Sequence, residues 1–214
     1  MRTNRGTRRR NVLRALPLLG TGVLVPGCLG GAPPPPRLFY LNPLAEPPAD
    51  PSAVDWSLVV ELPQTIPALN STQIMQVIGA NQFNYYEDGE WGDPAPAMVQ
   101  AIVLRSFELS GAIQVVVNEL QWVRTDFRLA SSLAPFFARG AVGSAPLAAV
   151  GLQVELVRSR GREIVGSRSF EASAQAASAD LDAIVAAFDD ATQQVLRELV
   201  PWTLATGSTA WSSR

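Results

Sequence analysis

Between Leu147 and Arg158 the chain alternates, with Leu152, Val154 and Leu156 on one parity and Gln153 and Glu155 on the other. A period of two turns one set toward a core and the other toward water, so this stretch predicts a strand. Ser159-Arg160-Gly161 predicts the turn that follows, and Arg162–Ala174 the antiparallel return. Shorter β-branched and aromatic runs predict strands at Arg37–Leu44, Asp55–Leu62, Thr72–Ile78, Ala112–Val117 and Thr125–Leu133. Gly79-Ala80-Asn81 turns Thr72–Ile78 into Gln82–Tyr86, a hairpin, while Pro63 and Pro67 stop the run that begins at Asp55. Ala138–Ser144, with two glycines, reads as a loose excursion between strands.

Two segments change period. Ala97–Leu109 is apolar on most sides of a helix, with Asp93 placed to cap it, Pro94 or Pro96 suited to its first turn, and Gly111 to end it. Such a helix must pack on a sheet and on something else, with Arg105 and Glu108 toward solvent. The second is amphipathic: Leu181, Ile184, Val185, Phe188, Val195, Leu196 and Leu199 form one stripe, and Asp189, Asp190, Gln193 and Gln194 lie on other faces. Ser178 caps it, Asp180 and Asp182 suit its positive end, and Pro201 is expected to end it. Thr203–Arg214, with Trp211, then reads as a tail. The fold class expected is a single α/β (α+β) sandwich, a mixed, largely antiparallel sheet covered by two main helices.

The first 27 residues follow another logic. Arg2–Arg14 carries six arginines and is followed by an apolar run of eleven residues, Ala15–Val25. A bilayer-spanning helix needs about 20 apolar residues, so this length suits the apolar core of a secretory signal. Leu24-Val25-Pro26-Gly27-Cys28 resembles a bacterial lipobox, although Pro26 is an unusual choice at its position. In that reading Cys28 takes a diacylglycerol, and cleavage falls between Gly27 and Cys28. Arg9-Arg10 resembles a twin-arginine export motif, with a plain arginine-rich start as the alternative. Leu29, not Asp, follows the cysteine, which by resemblance to Gram-negative lipoproteins points to the outer membrane. Leu29–Pro36 contains four consecutive prolines and reads as a stiff tether of about 20–25 Å. The organisation expected is a signal peptide at 1–27, an acylated cysteine and tether at 28–36, a domain at 37–204 and a flexible tail at 205–214.

Composition narrows the chemistry. The chain has no histidine, one cysteine and no lysine among its 17 basic residues. That excludes a Ser-His-Asp triad, a Cys-His pair, a Cys/His zinc cluster and an internal disulfide. Beyond Arg14, eleven arginines face nineteen carboxylates, a net of −8, which disfavours nucleic acid as a partner. Glu87-Asp88-Gly89-Glu90-Trp91-Gly92-Asp93 does not match a calcium loop and reads as a solvated turn. Gly140–Ser144 has no lysine with which to hold phosphate. No catalytic, cofactor or metal-ligating residue is expected, and the protein is expected not to be an enzyme; Cys28 alone is a functional position. Trp56 and Trp91 are expected in the body, Trp202 as a packing plug, Trp211 in the tail, and Trp122 on a side the sequence does not decide.

Several segments resemble the ABC-type transport auxiliary lipoproteins, the family of the paraquat-inducible lipoprotein C. They are the lipobox and tether, Arg37-Leu38-Phe39-Tyr40-Leu41, Thr72-Gln73-Ile74, Asn84-Tyr85-Tyr86, and Trp91-Gly92-Asp93-Pro94-Ala95-Pro96-Ala97-Met98-Val99-Gln100. Thr125-Asp126-Phe127-Arg128-Leu129, Ser167-Arg168-Ser169-Phe170-Glu171 and Leu181–Phe188 continue the likeness. An exposed-looking insertion at Ala134–Ala148 departs from it. The resemblance implies a lipoprotein lipid-anchored at the outer membrane and facing the periplasm. Its implied partners are a mammalian-cell-entry-type periplasmic subunit and an ABC permease and ATPase that move lipids or other hydrophobic compounds between membranes. Self-association into a homo-oligomer stays open. Two other readings remain: a lipoprotein that itself holds a small apolar ligand, which requires a closed apolar cavity, and a carboxylate-dependent hydrolase, which requires a buried acidic pair.

Overall fold

The alternating segment pairs along its whole length with both neighbours, and the rest of the sheet is built outward from that ribbon. The computed structural model describes residues 35–46 and 53–213; the predicted signal segment, Cys28 and the tether through Pro34 lie outside the described residues. The elements are β1 (Arg37–Phe39), β2 (Leu58–Val60), β3 (Gln73–Val77), β4 (Phe83–Trp91), α1 (Ala95–Ser110), β5 (Val116–Asn118), β6 (Phe127–Arg139), β7 (Leu147–Arg158), β8 (Glu163–Gln175) and α2 (Leu181–Ser212). β6, β7 and β8 form an antiparallel meander, with Arg158 opposite Phe127 and Glu163 opposite Arg158. Two groups of strands share the other edge of β6. β2 lies parallel to Phe127–Leu129 and carries β5 outside it. β3 lies parallel to Ala138–Arg139 and carries β4, then β1. The result is the expected mixed α+β fold, with one sheet of eight strands.

Both helices pack into one core on one side of this sheet. From β7 that side receives Ala148, Val150, Leu152, Val154 and Leu156, while Gln153 and Glu155 point to the other. α2 lies on β7 and β8, and α1 on β2 and β5. Trp91 of β4, Phe136 of β6 and Phe188 of α2 meet at ring-centroid distances of 5.2–5.6 Å, joining three elements at one point. The segment 41–45 straps the helices together. Leu41 and Leu44 are buried, and Leu44 N donates to Ser106 Oγ of α1 (2.9 Å). Asn42 N donates to the Asp189 carboxylate of α2 (2.8 Å).

Gln193 completes the strap and corrects its assignment to a polar face. It is buried; its Nε2 donates to the carbonyls of Asn42 (3.0 Å) and Pro43 (2.9 Å), and its Oε1 accepts from Ala45 N (2.9 Å). A buried amide with each end satisfied stabilises, whereas removing it orphans three backbone groups. Gln193→Ala should therefore cost about 2–3 kcal/mol in a urea titration; a loss below about 0.5 kcal/mol would show that the strap does not depend on it.

Four further expectations are corrected. Pro201 does not end the second helix, and 205–214 is not a tail: α2 runs to Ser212. Pro201 lies on the exposed side of the helix, so the hydrogen bond it removes is lost where water can take its place. The buried stripe continues through Thr203, Gly207 and Ala210. Gly207 is required there, because a Cβ would stand 2.5 Å from the Trp56 ring. The supposed insertion Ala134–Ala148 is the far end of the β6–β7 hairpin, with Phe136, Ala138 and Ala148 buried. A bulge between Leu133 and Phe136 shifts the inward parity from odd to even, which hides the strand from a period-two reading. Likewise Glu87–Glu90 is not a turn but the second half of β4, paired with β1 at Gly89 and Glu90. Finally, α1 starts after Pro94, with no side-chain cap from Asp93.

Candidate functional site

The side of the sheet away from the helices is open, and a loop rises beside it. β5 ends at Asn118, whose Oδ1 accepts from Leu120 N (3.2 Å) and starts the 3₁₀ turn Glu119–Gln121. Gln100 of α1 holds the turn from below, donating to Val60 O (3.0 Å) and to the Glu119 carboxylate (2.5 Å). At the other end Asp126 clamps Ser57: its Oδ2 accepts from Ser57 N (3.0 Å) and Oγ (2.8 Å), while its own N–H donates to Ser57 Oγ (3.0 Å). With both ends fixed, the tip stands clear. Trp122 is 96% exposed, Leu120 75% and Val123 51%. Trp122 also has φ +45°, a left-handed conformation that costs a bulky residue about 1 kcal/mol or more. Leu120, Trp122 and Val123 thus place three apolar side chains in solvent on a loop held at both ends.

The cleft beneath this tip has a volume of about 860 Å³ and is open to solvent; Val59 of β2, Glu61 just beyond it, Arg128 of β6, Arg124 and Arg160 line it with Trp122. Arg128 Nε donates to Glu61 (2.6 Å). Arg124 and Arg160 have no ion pair among the described residues. A second open groove continues along the same face past Gln64, Ser132, Gln153 and Glu155.

Elsewhere the chemistry is sparse. Among the described residues no three His, Cys, Asp or Glu side chains are grouped to hold a metal. Asp182, at the start of α2, pairs with Arg37 of β1, and that guanidinium holds its carboxyl below the usual range. A depressed carboxyl contributes at neutral pH and loses its contribution as pH falls through the lowered value. Both partners are exposed, so Asp182→Asn should leave the neutral-pH melting temperature nearly unchanged and only slightly flatten its fall in acid; a drop of many degrees at neutral pH would contradict a surface pairing. Burial pushes the Tyr86 phenol up.

The sequence-expected tryptophans divide accordingly. Trp56 and Trp91 are buried, and Trp202 packs edge-on against Phe170 (5.5 Å). Trp211, expected in a tail, lies on α2 and faces Phe127 at 6.5 Å. Trp122, whose side the sequence left undecided, stands in solvent. Its signal was an aromatic beside Leu120 and Val123 in a segment with no helical or strand period.

These features describe an α+β module with aromatic rings packed in its core and an exposed apolar loop. The chain belongs to the ABC-type transport auxiliary lipoprotein component family, whose family model matches residues 39–200. A protein of Xanthomonas campestris, known from a crystal structure, is 30% identical with a TM-score of 0.76; the match covers 82% of this chain and 99% of that one. A second crystal structure, 12% identical over 78% of this chain and 99% of its own, shares the fold at a TM-score of 0.60. A protein of Bradyrhizobium diazoefficiens is 28% identical over 155 residues, which is 72% of this chain and 41% of that protein's length.

Proposed function

We propose that this protein is a non-catalytic docking lipoprotein of an ABC transport system that moves lipids or related hydrophobic compounds between the two membranes. Cys28 carries the acyl chains that hold it at the periplasmic face of the outer membrane. Its folded surface receives the end of a conduit formed by a mammalian-cell-entry-type periplasmic subunit, behind which stand the system's permease and ATPase. The observation that carries this reading is the family match, which spans 39–200 and so takes in nearly the whole described body.

The physical features support it. The core is filled by side chains that touch one another, so cargo would pass along or beside the domain. The described clefts named above are open grooves on the sheet face, which supports a contact role over the apolar-ligand reading. The carboxylate that Arg37 depresses sits on the surface, which gives the hydrolase reading no buried acidic pair there. Co-purification from membranes tests the proposal. The mammalian-cell-entry-type subunit should be recovered with the full acylated chain in mild detergent; recovery of neither that subunit nor its permease would overturn it.

A further inference from the structure

We propose that the cleft under Trp122 binds the phosphate group of an amphiphilic organic phosphate, held by Arg124 and Arg160, with the compound's apolar part against the indole. The site belongs to this chain alone and goes beyond the transport reading without depending on it.

Strand pairing brings the cations together. Arg158, the last residue of β7, lies opposite Phe127, the first of β6, and just beyond them Ser159 N donates to Asp126 O (2.9 Å). Arg160 on one segment and Arg124 and Thr125 on the other therefore emerge side by side. Four arginines and three carboxylates line this cleft and the smaller one that shares Thr125 and Arg160 with it. The excess is positive, in a body whose net charge is −8.

Five of these seven groups already have partners. Arg128 is satisfied by Glu61. Arg158 donates to Glu163 (3.3 Å) and to Ala210 O of α2 (3.0 Å). Glu119 accepts from Gln100, and Asp126 from Ser57. Arg124 and Arg160 remain, without an ion pair among the described residues. The wall between them holds a further donor: Ser159 lines the cleft, and its hydroxyl is buried with no hydrogen-bond partner. Buried hydroxyls are nearly always paired, so an oxygen seated against this wall meets an unsatisfied donor. Each guanidinium can give two parallel N–H···O bonds. Two such forks and a hydroxyl suit the several oxygens of a phosphate better than the two of a carboxylate.

Size and the apolar rim narrow the occupant further. A volume of about 860 Å³ is that of a small-molecule site. Trp122 and Val123 border it in solvent. An inorganic anion would leave both in water, whereas an amphiphile covers them, and a fixed indole removes much apolar area from water at little cost in freedom.

Calorimetric titration of the full Cys28→Ser chain tests this, with dihexanoyl phosphatidic acid, naphthyl phosphate and inorganic phosphate as probes. At least one of the two organic phosphates should bind at a single site and more tightly than inorganic phosphate. Arg124→Gln combined with Arg160→Gln should weaken that binding about tenfold or more. Trp122→Ala should weaken it to a similar degree and leave inorganic phosphate unaffected, a split that general loss of structure would not produce. Melting temperatures should stay unchanged, because all three side chains are exposed. Binding of the phosphatidic acid only identifies a lipid headgroup as the source, and binding of naphthyl phosphate a free ester; both support the site. Equal binding of dihexanoylglycerol, which lacks the phosphate, would overturn it, as would binding unchanged in the double arginine variant or no binding by either organic phosphate. Tighter binding of an acidic, leucine-rich peptide that displaces the bound probe would assign the cleft to a protein and also overturn it. None of these outcomes bears on co-purification of the mammalian-cell-entry-type subunit, on which the transport reading depends.

Discussion

Phe188→Ala should destabilise the domain by about 3–5 kcal/mol, the range for removing a large aromatic from a packed core. Phe188 is fully buried in α2 and meets Trp91 edge-on at 5.3 Å and Phe136 at 5.2 Å. The three rings come from a helix, a strand of the β3–β4 hairpin and the long strand β6, so a void there loosens three junctions at once. Single domains retain about 5–15 kcal/mol in total, and the variant should lose most of its margin. The measurement is a urea midpoint at constant slope. A conservative control, Phe188→Leu, should recover much of the loss. A cost near 1 kcal/mol would mean that the site collapses around the gap and that the trio does not organise the core.

Cys28→Ser should move the protein from the membrane fraction to the soluble periplasmic fraction. Each buried methylene contributes about 0.8 kcal/mol, and two or more acyl chains give stable attachment where one gives only marginal binding. Among the described residues no helix is long and apolar enough to cross a membrane, so in this reading attachment depends on the cysteine. Fractionation with mass spectrometry of the mature amino terminus checks it. A wild-type Cys28 with a free thiol, or a serine variant still fully sedimenting with membranes, would overturn the anchor. The folded body of the variant should keep its melting temperature, which separates loss of attachment from loss of structure.

These two positions differ in how far the sequence announced them. Cys28 follows a basic start and an eleven-residue apolar run, a purely local arrangement that a linear reading detects. Phe188 was legible as one residue of a helical stripe, but nothing in the stripe told that Phe136, in a stretch read as an insertion, would be its neighbour. Gln193 shows the reverse error. One polar residue in an amphipathic pattern reads as surface, yet here the strap 41–45 lies over it and engages both ends of its amide.

Periodicity alone determined the α+β class, the β7–β8 hairpin and the positions of both helices, because hydrogen bonding and side-chain alternation within an element depend on neighbours a few residues away. Tertiary structure decided the rest. It carried α2 past Pro201, because that residue faces water while Gly207 makes room for Trp56, about 150 residues earlier in the chain. It also left Trp122 in solvent, because Gln100 and Ser57 hold the two ends of its loop. Each outcome depends on what a distant segment brings to the same place, and no local pattern encodes that.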